Sequence, residues 1–155
     1  MTVMIKNSQK LLKMDTRSLR SVTEDLLISL GLQNRDLSIL FVDNKKIKSL
    51  NIEFFGRDKP TNVISFSYMN GLSCEIFGDI IISLEKAREE AKDLAVPFYE
   101  RVFALIIHGL LHILGFDHEK NRKESRKMRY RETKLMDYVR SHEMYKKLLY
   151  KNMGQ

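Results

Sequence analysis

The spacing of apolar residues divides the chain into a first half of short strands and helices and a second half of helices. Runs rich in β-branched and aromatic residues predict about four strands: Val3–Ile5, Asp36–Val42, Val63–Tyr68 and Ile76–Ser83. Apolar residues at helical spacing predict about five helices: Thr16–Leu30, Asn44–Phe54, Leu84–Ala95, Phe98–Leu114 and a last one from about Asn121 to Tyr150. The segments Gly56–Asn62 and Met69–Glu75 are predicted loops. This order is typical of an α/β or α+β domain with a small sheet.

The predicted helix from Phe98 to Leu114 is apolar almost all round, so we expect it to lie in the core. Pro97 suits its first helical position, where a missing N–H costs nothing. Two histidines lie within this helix, and a packed core would hold both rings in place.

Three of the four histidines lie in one stretch of eleven residues, HGLLHILGFDH, from His108 to His118. Residues four apart lie on one face of a helix, so His108 and His112 can direct their rings to one point. Gly115 can adopt the left-handed conformation that ends a helix, which lets His118 supply a third nitrogen. Three imidazoles suit Zn²⁺ and leave its fourth tetrahedral position open to water. Each histidine alone would be typical of a core or surface position, but their joint spacing favours a metal site.

The spacing HxxxHxxGxxH resembles the zinc-binding pattern of metzincin peptidases. Those enzymes carry a glutamate directly after the first histidine, where it activates the metal-bound water. Gly109 occupies that position here and can transfer no proton. The sequence therefore argues against peptidase activity.

Length and composition favour one domain over residues 1–155, with a basic C-terminal helix from about residue 120. The single cysteine, Cys74, cannot form an internal disulfide, which fits a reducing compartment. The N-terminus has no apolar run typical of a signal peptide, and no segment approaches the twenty apolar residues of a membrane span. We therefore expect a soluble, cytoplasmic protein with no membrane partner.

The net charge of +7 comes entirely from the end of the chain. Residues 1–118 contain 15 Lys and Arg against 15 Asp and Glu, whereas residues 119–155 contain 12 against 5. A polyanion such as RNA would bind there, and its release of counterions would make binding fall with salt. The candidate contacts are Lys123, Arg126, Lys127 and Arg129, although a charged helix face is also typical of simple solvent exposure.

Three segments in order, KPTNVISF from Lys59, FGDIII from Phe77 and HGLLHILGFDH from His108, resemble the motifs of the bacterial YbeY family. That family comprises metal-dependent single-strand endoribonucleases needed for ribosomal RNA maturation and ribosome quality control. The resemblance implies an α+β fold with a small mixed sheet and one Zn²⁺ held by His108, His112 and His118. It also implies an RNA groove beside the metal, with single-stranded ribosomal RNA, the small ribosomal subunit and assembly factors as partners.

Two positions depart from the family pattern. The tyrosine that is usual just before the Asp of the histidine motif is Phe116 here, a mild change, and the second departure is more serious. The family usually has an arginine immediately before the glycine of the loop that precedes the Pro-Thr motif, and this chain has Phe55 there. Arg57 and Lys59 are the candidates to bind phosphate in its place, because a guanidinium or ammonium stabilises charge on phosphoryl oxygens. Asp117 could orient an imidazole or relay a proton, or it could simply end the helix in a turn.

Four further polar residues have open roles. Asp79 is acidic within an apolar strand, so it needs a partner, either a structural hydrogen bond or one near the site. Asn62 and Ser65 belong to the second motif and could bond substrate or backbone. His142 is expected to be a surface or packing histidine.

Two functions of different class remain: a zinc-dependent endoribonuclease, or a non-catalytic ribosome-assembly factor whose metal stabilises an RNA- or protein-binding surface.

Overall fold

A computed structural model describes residues 3–68 and 76–153, with side chains up to residue 151. The predicted loop at 69–75, with Cys74, lies outside the described residues. Four strands are present in the described chain: β1 (Val3–Asn7), β2 (Asp36–Val42), β3 (Val63–Ser67) and β4 (Ile76–Ser83). Six helices accompany them: α1 (Thr16–Ser29), α2 (Asn44–Phe55), α3 (Leu84–Leu94), α4 (Phe98–Ile113), α5 (Arg122–Ser141) and α6 (Glu143–Met153).

The four strands form one mixed sheet in the order β1-β2-β4-β3. β1, β2 and β4 run parallel, whereas β3 pairs antiparallel with β4 at the edge of the sheet. Parallel strands need a crossover connection, which α1 provides between β1 and β2. The α+β class and the small mixed sheet are thus confirmed.

The sheet separates a large core from a small one. In β2, Leu37, Ile39 and Phe41 face the large core, which also contains the apolar sides of α1, α4 and α5. The opposite face of the sheet packs against α2 in a smaller cluster that includes Val42 and Ile47. Burial of each such side chain stabilises the fold by about 1.5–3 kcal/mol relative to exposure.

The structure places α4 at the centre of the large core, as its sequence predicts. This helix packs against β3, β4, α3 and α5, and ten of its sixteen residues are buried. Its first residue is Phe98, so Pro97 is the N-cap and the prediction of Pro97 as a helical residue was wrong by one position. Because α4 is fixed on several sides, the side chains on its last turns are held rigidly.

The predicted single tail helix is two helices, a correction to the sequence analysis. α5 ends at Ser141 and α6 begins at Glu143, with His142 in an extended conformation between them. The Nδ1 atom of His142 accepts the Met144 N–H at 3.1 Å, and its Nε2 atom lies 2.7 Å from the Asp25 carboxylate on α1. His142 is therefore a packing residue, one of the two roles predicted for it.

In the described part of the chain, no single helix is long and apolar enough to cross a membrane. Helices α3 and α4 taken together are long and apolar enough, but they are bent by 115° at their junction.

Candidate metal centre

Three histidine rings converge at the C-terminal end of α4. His108 and His112 lie one turn apart on that helix, and their Nε2 atoms are 3.1 Å apart. His118 follows the helix, and one ligand atom from each of the three rings lies within 4.8 Å of the others. Two nitrogens bound tetrahedrally to zinc at 2.0–2.1 Å would be separated by about 3.3 Å. The 3.1 Å between the Nε2 atoms of His108 and His112 therefore suits a metal of zinc size.

The turn after α4 brings the third histidine back to the first two. Gly115 has a φ of 98°, a conformation that other residues rarely adopt. The Gly115 N–H donates to the carbonyl of His112, and the Phe116 N–H donates to that of Leu111, which closes the helix end. The chain reverses at this turn, so the ring of His118 reaches the same point as the rings of His108 and His112.

The environment of His112 favours the neutral ring that a metal needs. Burial lowers the pKa of His112, and the neighbouring His108 and His118 lower it further, whereas Asp117 and Glu132 act in the opposite direction. An imidazole binds a metal ion only without its second proton. At His112, therefore, the surroundings favour the form of the ring that can coordinate a metal.

The histidine cluster opens into a cleft of about 560 Å³. Phe55 and Arg57, from the end of α2 and the loop after it, form one wall. The loop and the edge strand β3 contribute further polar residues, Thr61, Asn62 and Ser65. The side chain of His118 is 41% exposed, so the cluster is accessible from solvent. This openness favours a site that admits a substrate over a closed structural one.

Gly109 faces the sheet, away from the cleft. A Cβ atom at this position would lie 3.0 Å from Cγ2 of the fully buried Ile80. A glutamate side chain would have to enter the core there, and a buried carboxylate without a partner is costly. The structure therefore gives a physical reason why the peptidase arrangement, with glutamate after the first histidine, is absent from this helix.

Arg57 and Asp117, the predicted catalytic residues, both lie near the histidines but differ in their surroundings. Arg57 is exposed on the cleft wall, and its backbone N–H donates to Asn51, which fixes the start of the loop. The carboxylate of Asp117 accepts the Glu119 N–H at 2.9 Å, so it forms a turn at the helix end. A role in catalysis stays a prediction for both residues.

The predicted RNA contacts lie outside the lining of the cleft. Among the described residues, the cleft wall does not include Lys59 or the four tail cations Lys123, Arg126, Lys127 and Arg129. All five are exposed, and the four tail cations lie on α5. Lys127 also pairs with Glu124 at 3.4 Å. Their binding of RNA stays a prediction.

Two motif residues whose roles the sequence left open have side-chain partners in the structure, and the partner of Asn62 is neither the substrate nor the backbone predicted for it. The Asp79 carboxylate accepts a hydrogen bond of 2.7 Å from the Tyr68 hydroxyl, the structural alternative predicted for it. The amide of Asn62 donates to Glu90, which also pairs with Arg101 on α4 at 3.2 Å. Asn62 is thereby oriented at the cleft edge by an ion pair that the sequence did not reveal.

Glu132 is a residue of the site that the sequence analysis missed. Its carboxylate lies 3.7 Å from Nδ1 of His108, and its side chain is 32% exposed. The only signal in the sequence is an acidic residue within the basic run of α5, and such residues are common on solvent-exposed helices. Its proximity to His108 depends on how α5 packs on α4.

The fold and the cluster together define a class of protein: an α+β domain with an open three-histidine candidate metal site at the end of a buried helix. Comparison with known proteins narrows this class. The chain belongs to the YbeY family, since the family model described as Endoribonuclease YbeY matches residues 4–140.

Individual relatives agree with this assignment. A protein named Endoribonuclease YbeY from Syntrophus aciditrophicus is 41% identical over 128 residues, which is 80% of each chain. Another of that name, from Geobacter sulfurreducens, is 39% identical over 140 residues, covering 87% of this chain and 93% of the relative. A solution structure from Thermotoga maritima superposes with a TM-score of 0.64 at 26% identity, covering 88% of this chain and 87% of that one.

Proposed function

We propose that this protein is a metal-dependent endoribonuclease that cleaves single-stranded RNA in ribosomal RNA maturation and ribosome quality control. The observation that carries the proposal is the convergence of three imidazoles in an open cleft whose wall includes Arg57. Membership of a family described as endoribonucleases supports hydrolysis of RNA phosphodiester bonds.

We propose Zn²⁺ as the metal, one ion per chain, held by His108, His112 and His118. Support comes from the donor set, because three neutral imidazoles at this spacing match the ligands of catalytic zinc. When bound, zinc supplies Lewis acidity toward a phosphate oxygen and lowers the pKa of water toward neutrality.

The residues of the cleft have separate tasks in this proposal. The Arg57 guanidinium donates hydrogen bonds to phosphate oxygens and stabilises the charge that develops on them. Ser65 also lines the cleft and offers a hydroxyl to the sugar-phosphate backbone. Lys59 and the cations of α5 attract the RNA over a longer range, which raises its local concentration without selecting sequence.

The proposed partners are ribosomal RNA, the small ribosomal subunit and its assembly factors, in the cytoplasm. The support is the basic segment 119–155 together with the family assignment, because a polyanionic particle would bind an exposed basic helix. The second candidate function is a metal-stabilised assembly factor without catalysis. It differs from the enzyme in one respect only: it would bind RNA and leave it intact.

The test is a cleavage assay with purified protein on an end-labelled single-stranded RNA. We expect cleavage that is lost with chelator, restored by zinc and absent in His112→Ala, which removes one ligand. Arg57→Ala should lower the cleavage rate at least tenfold, with partial recovery in Arg57→Lys. Cleavage that persists in His112→Ala would point to a contaminating nuclease. RNA binding without any metal-dependent cleavage would favour the assembly factor.

A further inference from the structure

We propose that Phe55 is a stacking platform for an unpaired nucleobase, on the wall of the histidine cleft. The proposal rests on the proposed function, because it specifies how single-stranded RNA is recognised at that same site. It gives a role to the residue that stands in place of the family's usual arginine.

Phe55 belongs to an aromatic cluster that is unusually exposed. The side chains of Phe54 and Phe55 are 52% and 50% exposed, although large apolar residues are normally buried. Both rings pack on Phe66 of β3: Phe55 lies nearly parallel to it, with centroids 6.2 Å apart and an interplanar angle of 8°, whereas Phe54 meets it edge-on at 5.1 Å. Phe66 therefore supports Phe55 from one side and leaves half of its surface free.

Phe55 lies in the lining of the cleft. Phe55 is the last residue of α2, and Gly56 follows with a φ of 64°, which turns the chain sharply. Arg57 comes directly after the turn, and both Phe55 and Arg57 line the cleft that contains the three histidines. Phe54 is equally exposed but is not part of that lining.

An unpaired base fits this arrangement better than a protein surface does. An aromatic ring and a cation two residues apart match the two parts of a nucleotide, the flat base and the charged phosphate. Every base has a π-face, so stacking on a phenyl ring is tolerant of sequence, whereas paired bases have their faces already covered. Phe55 thus selects single strands and holds one nucleotide beside the histidine cluster, while Arg57 binds a phosphate of that nucleotide.

The test uses metal-loaded protein in excess over a nine-nucleotide single-stranded RNA that carries one 2-aminopurine. In stopped-flow, we expect quenching of 2-aminopurine before cleavage in the wild-type protein and loss of this quenching in Phe55→Ala. Stacking contributes about 1–3 kcal/mol per base, so Phe55→Ala should raise the half-saturating protein concentration roughly 5- to 150-fold. The maximal single-turnover rate should change less, since Phe55 binds rather than reacts.

Matched variants separate stacking from folding. Phe55→Tyr should retain binding within about twofold, and Phe54→Ala, an equally exposed neighbour outside the cleft, should do the same. Replacing the 2-aminopurine nucleotide by an abasic one should remove the difference between wild type and Phe55→Ala. Thermal unfolding of each variant shows whether the fold is retained.

The outcomes distinguish this proposal from the one on which it rests. Metal-dependent cleavage with equal half-saturation for wild type and Phe55→Ala overturns the platform and leaves the endoribonuclease intact. Failure of the wild-type protein to bind the RNA overturns both. If Phe55→Ala changes only the self-association of the protein in sedimentation, the aromatic cluster is a protein contact and the platform proposal is wrong.

Discussion

The carboxylate of Glu132 lies 3.7 Å from Nδ1 of His108, which connects the basic tail helix to the histidine cluster. The other ring nitrogen of His108, Nε2, faces His112 at 3.1 Å. A carboxylate on the far side of a metal-binding imidazole fixes the orientation of the ring and raises its basicity as a ligand. Helix α5 therefore takes part in the candidate metal centre even though it supplies no ligand to it.

This contact predicts that Glu132 strengthens metal binding. Loss of such partners typically lowers metal affinity 10- to 100-fold, and the long, partly exposed contact here places Glu132→Ala near the lower end, at about tenfold. Glu132→Gln should lose less, because its amide oxygen can still accept a hydrogen bond from the ring N–H. Zinc affinity measured by competition with a chromogenic chelator tests this, with Glu124→Gln on the same helix as control. Equal affinity in Glu132→Ala and wild type would show that the contact is incidental.

The lowered pKa of His112 predicts how the metal-free protein responds to acid. Burial and the two neighbouring histidines disfavour the charged ring in the folded state, whereas the unfolded chain takes up its proton near the ordinary value of 6.5. The folded state therefore binds fewer protons than the unfolded state in that range. The free energy of unfolding should fall progressively as the pH drops below about 6.5.

The measurement is urea unfolding of chelator-treated protein between pH 7.5 and pH 5. His112→Gln removes the titrating ring, so its free energy of unfolding should decline less than that of the wild type over this range. His142→Gln is a comparison variant at a histidine outside the cluster. A decline in His112→Gln as steep as in the wild type would assign the acid sensitivity to other groups.

The sequence predicted the elements and the histidine cluster because both depend on local periodicity. Side chains four apart on a helix must share a face, and a glycine after the last turn allows the chain to reverse, so His108, His112 and His118 could be assigned to one point before any tertiary contact was known. The strands followed from alternation and composition in the same way, and their bounds agree with the structure to within about two residues.

The parts that escaped prediction depend on packing between distant segments. The approach of Glu132 to His108 and the ion pair of Glu90 with Arg101 each join different helices. The helix break at His142 lacks both glycine and proline, the usual local signals, since it arises from a contact with Asp25 more than a hundred residues earlier. In the sequence, Phe55 is recognisable only as the residue that replaces the family's arginine. Its position in the lining of the cleft is what supports the role proposed for it.

The exposed cations of α5 predict a strong salt dependence of RNA binding. Replacing Lys123, Arg126, Lys127 and Arg129 by glutamine should lower affinity and reduce the slope of log K against log salt by up to about 2.8, if each cation contacts one phosphate of a single strand. Fluorescence anisotropy with a labelled single-stranded RNA at several salt concentrations measures both quantities. A control with the same charge change at Lys45, Lys46, Arg88 and Lys92, which are exposed on α2 and α3, should leave most of the slope. An unchanged slope in the α5 variant would show that this face is merely solvated.

The junction between α5 and α6 predicts a role for His142 in stability. Its Nδ1 atom accepts the Met144 N–H, so the ring proton lies on Nε2 and is donated to the Asp25 carboxylate at 2.7 Å. The ring is only 13% exposed, and it serves both as the N-terminal cap of α6 and as the link between that helix and α1. His142→Ala removes both interactions and should lower the free energy of unfolding by about 1–3 kcal/mol in urea titrations.

Two comparison variants divide this loss between the cap and the link. His142→Asn can still accept the Met144 N–H, because asparagine is a good N-cap, but it is too short to keep the Asp25 contact, so it should recover part of the stability. Asp25→Asn keeps the cap and replaces a charged acceptor by a neutral one, which weakens the hydrogen bond. We expect both variants to fall between wild type and His142→Ala. If Asp25→Asn matches the wild type, the short contact adds nothing measurable and the cap alone accounts for the effect of His142.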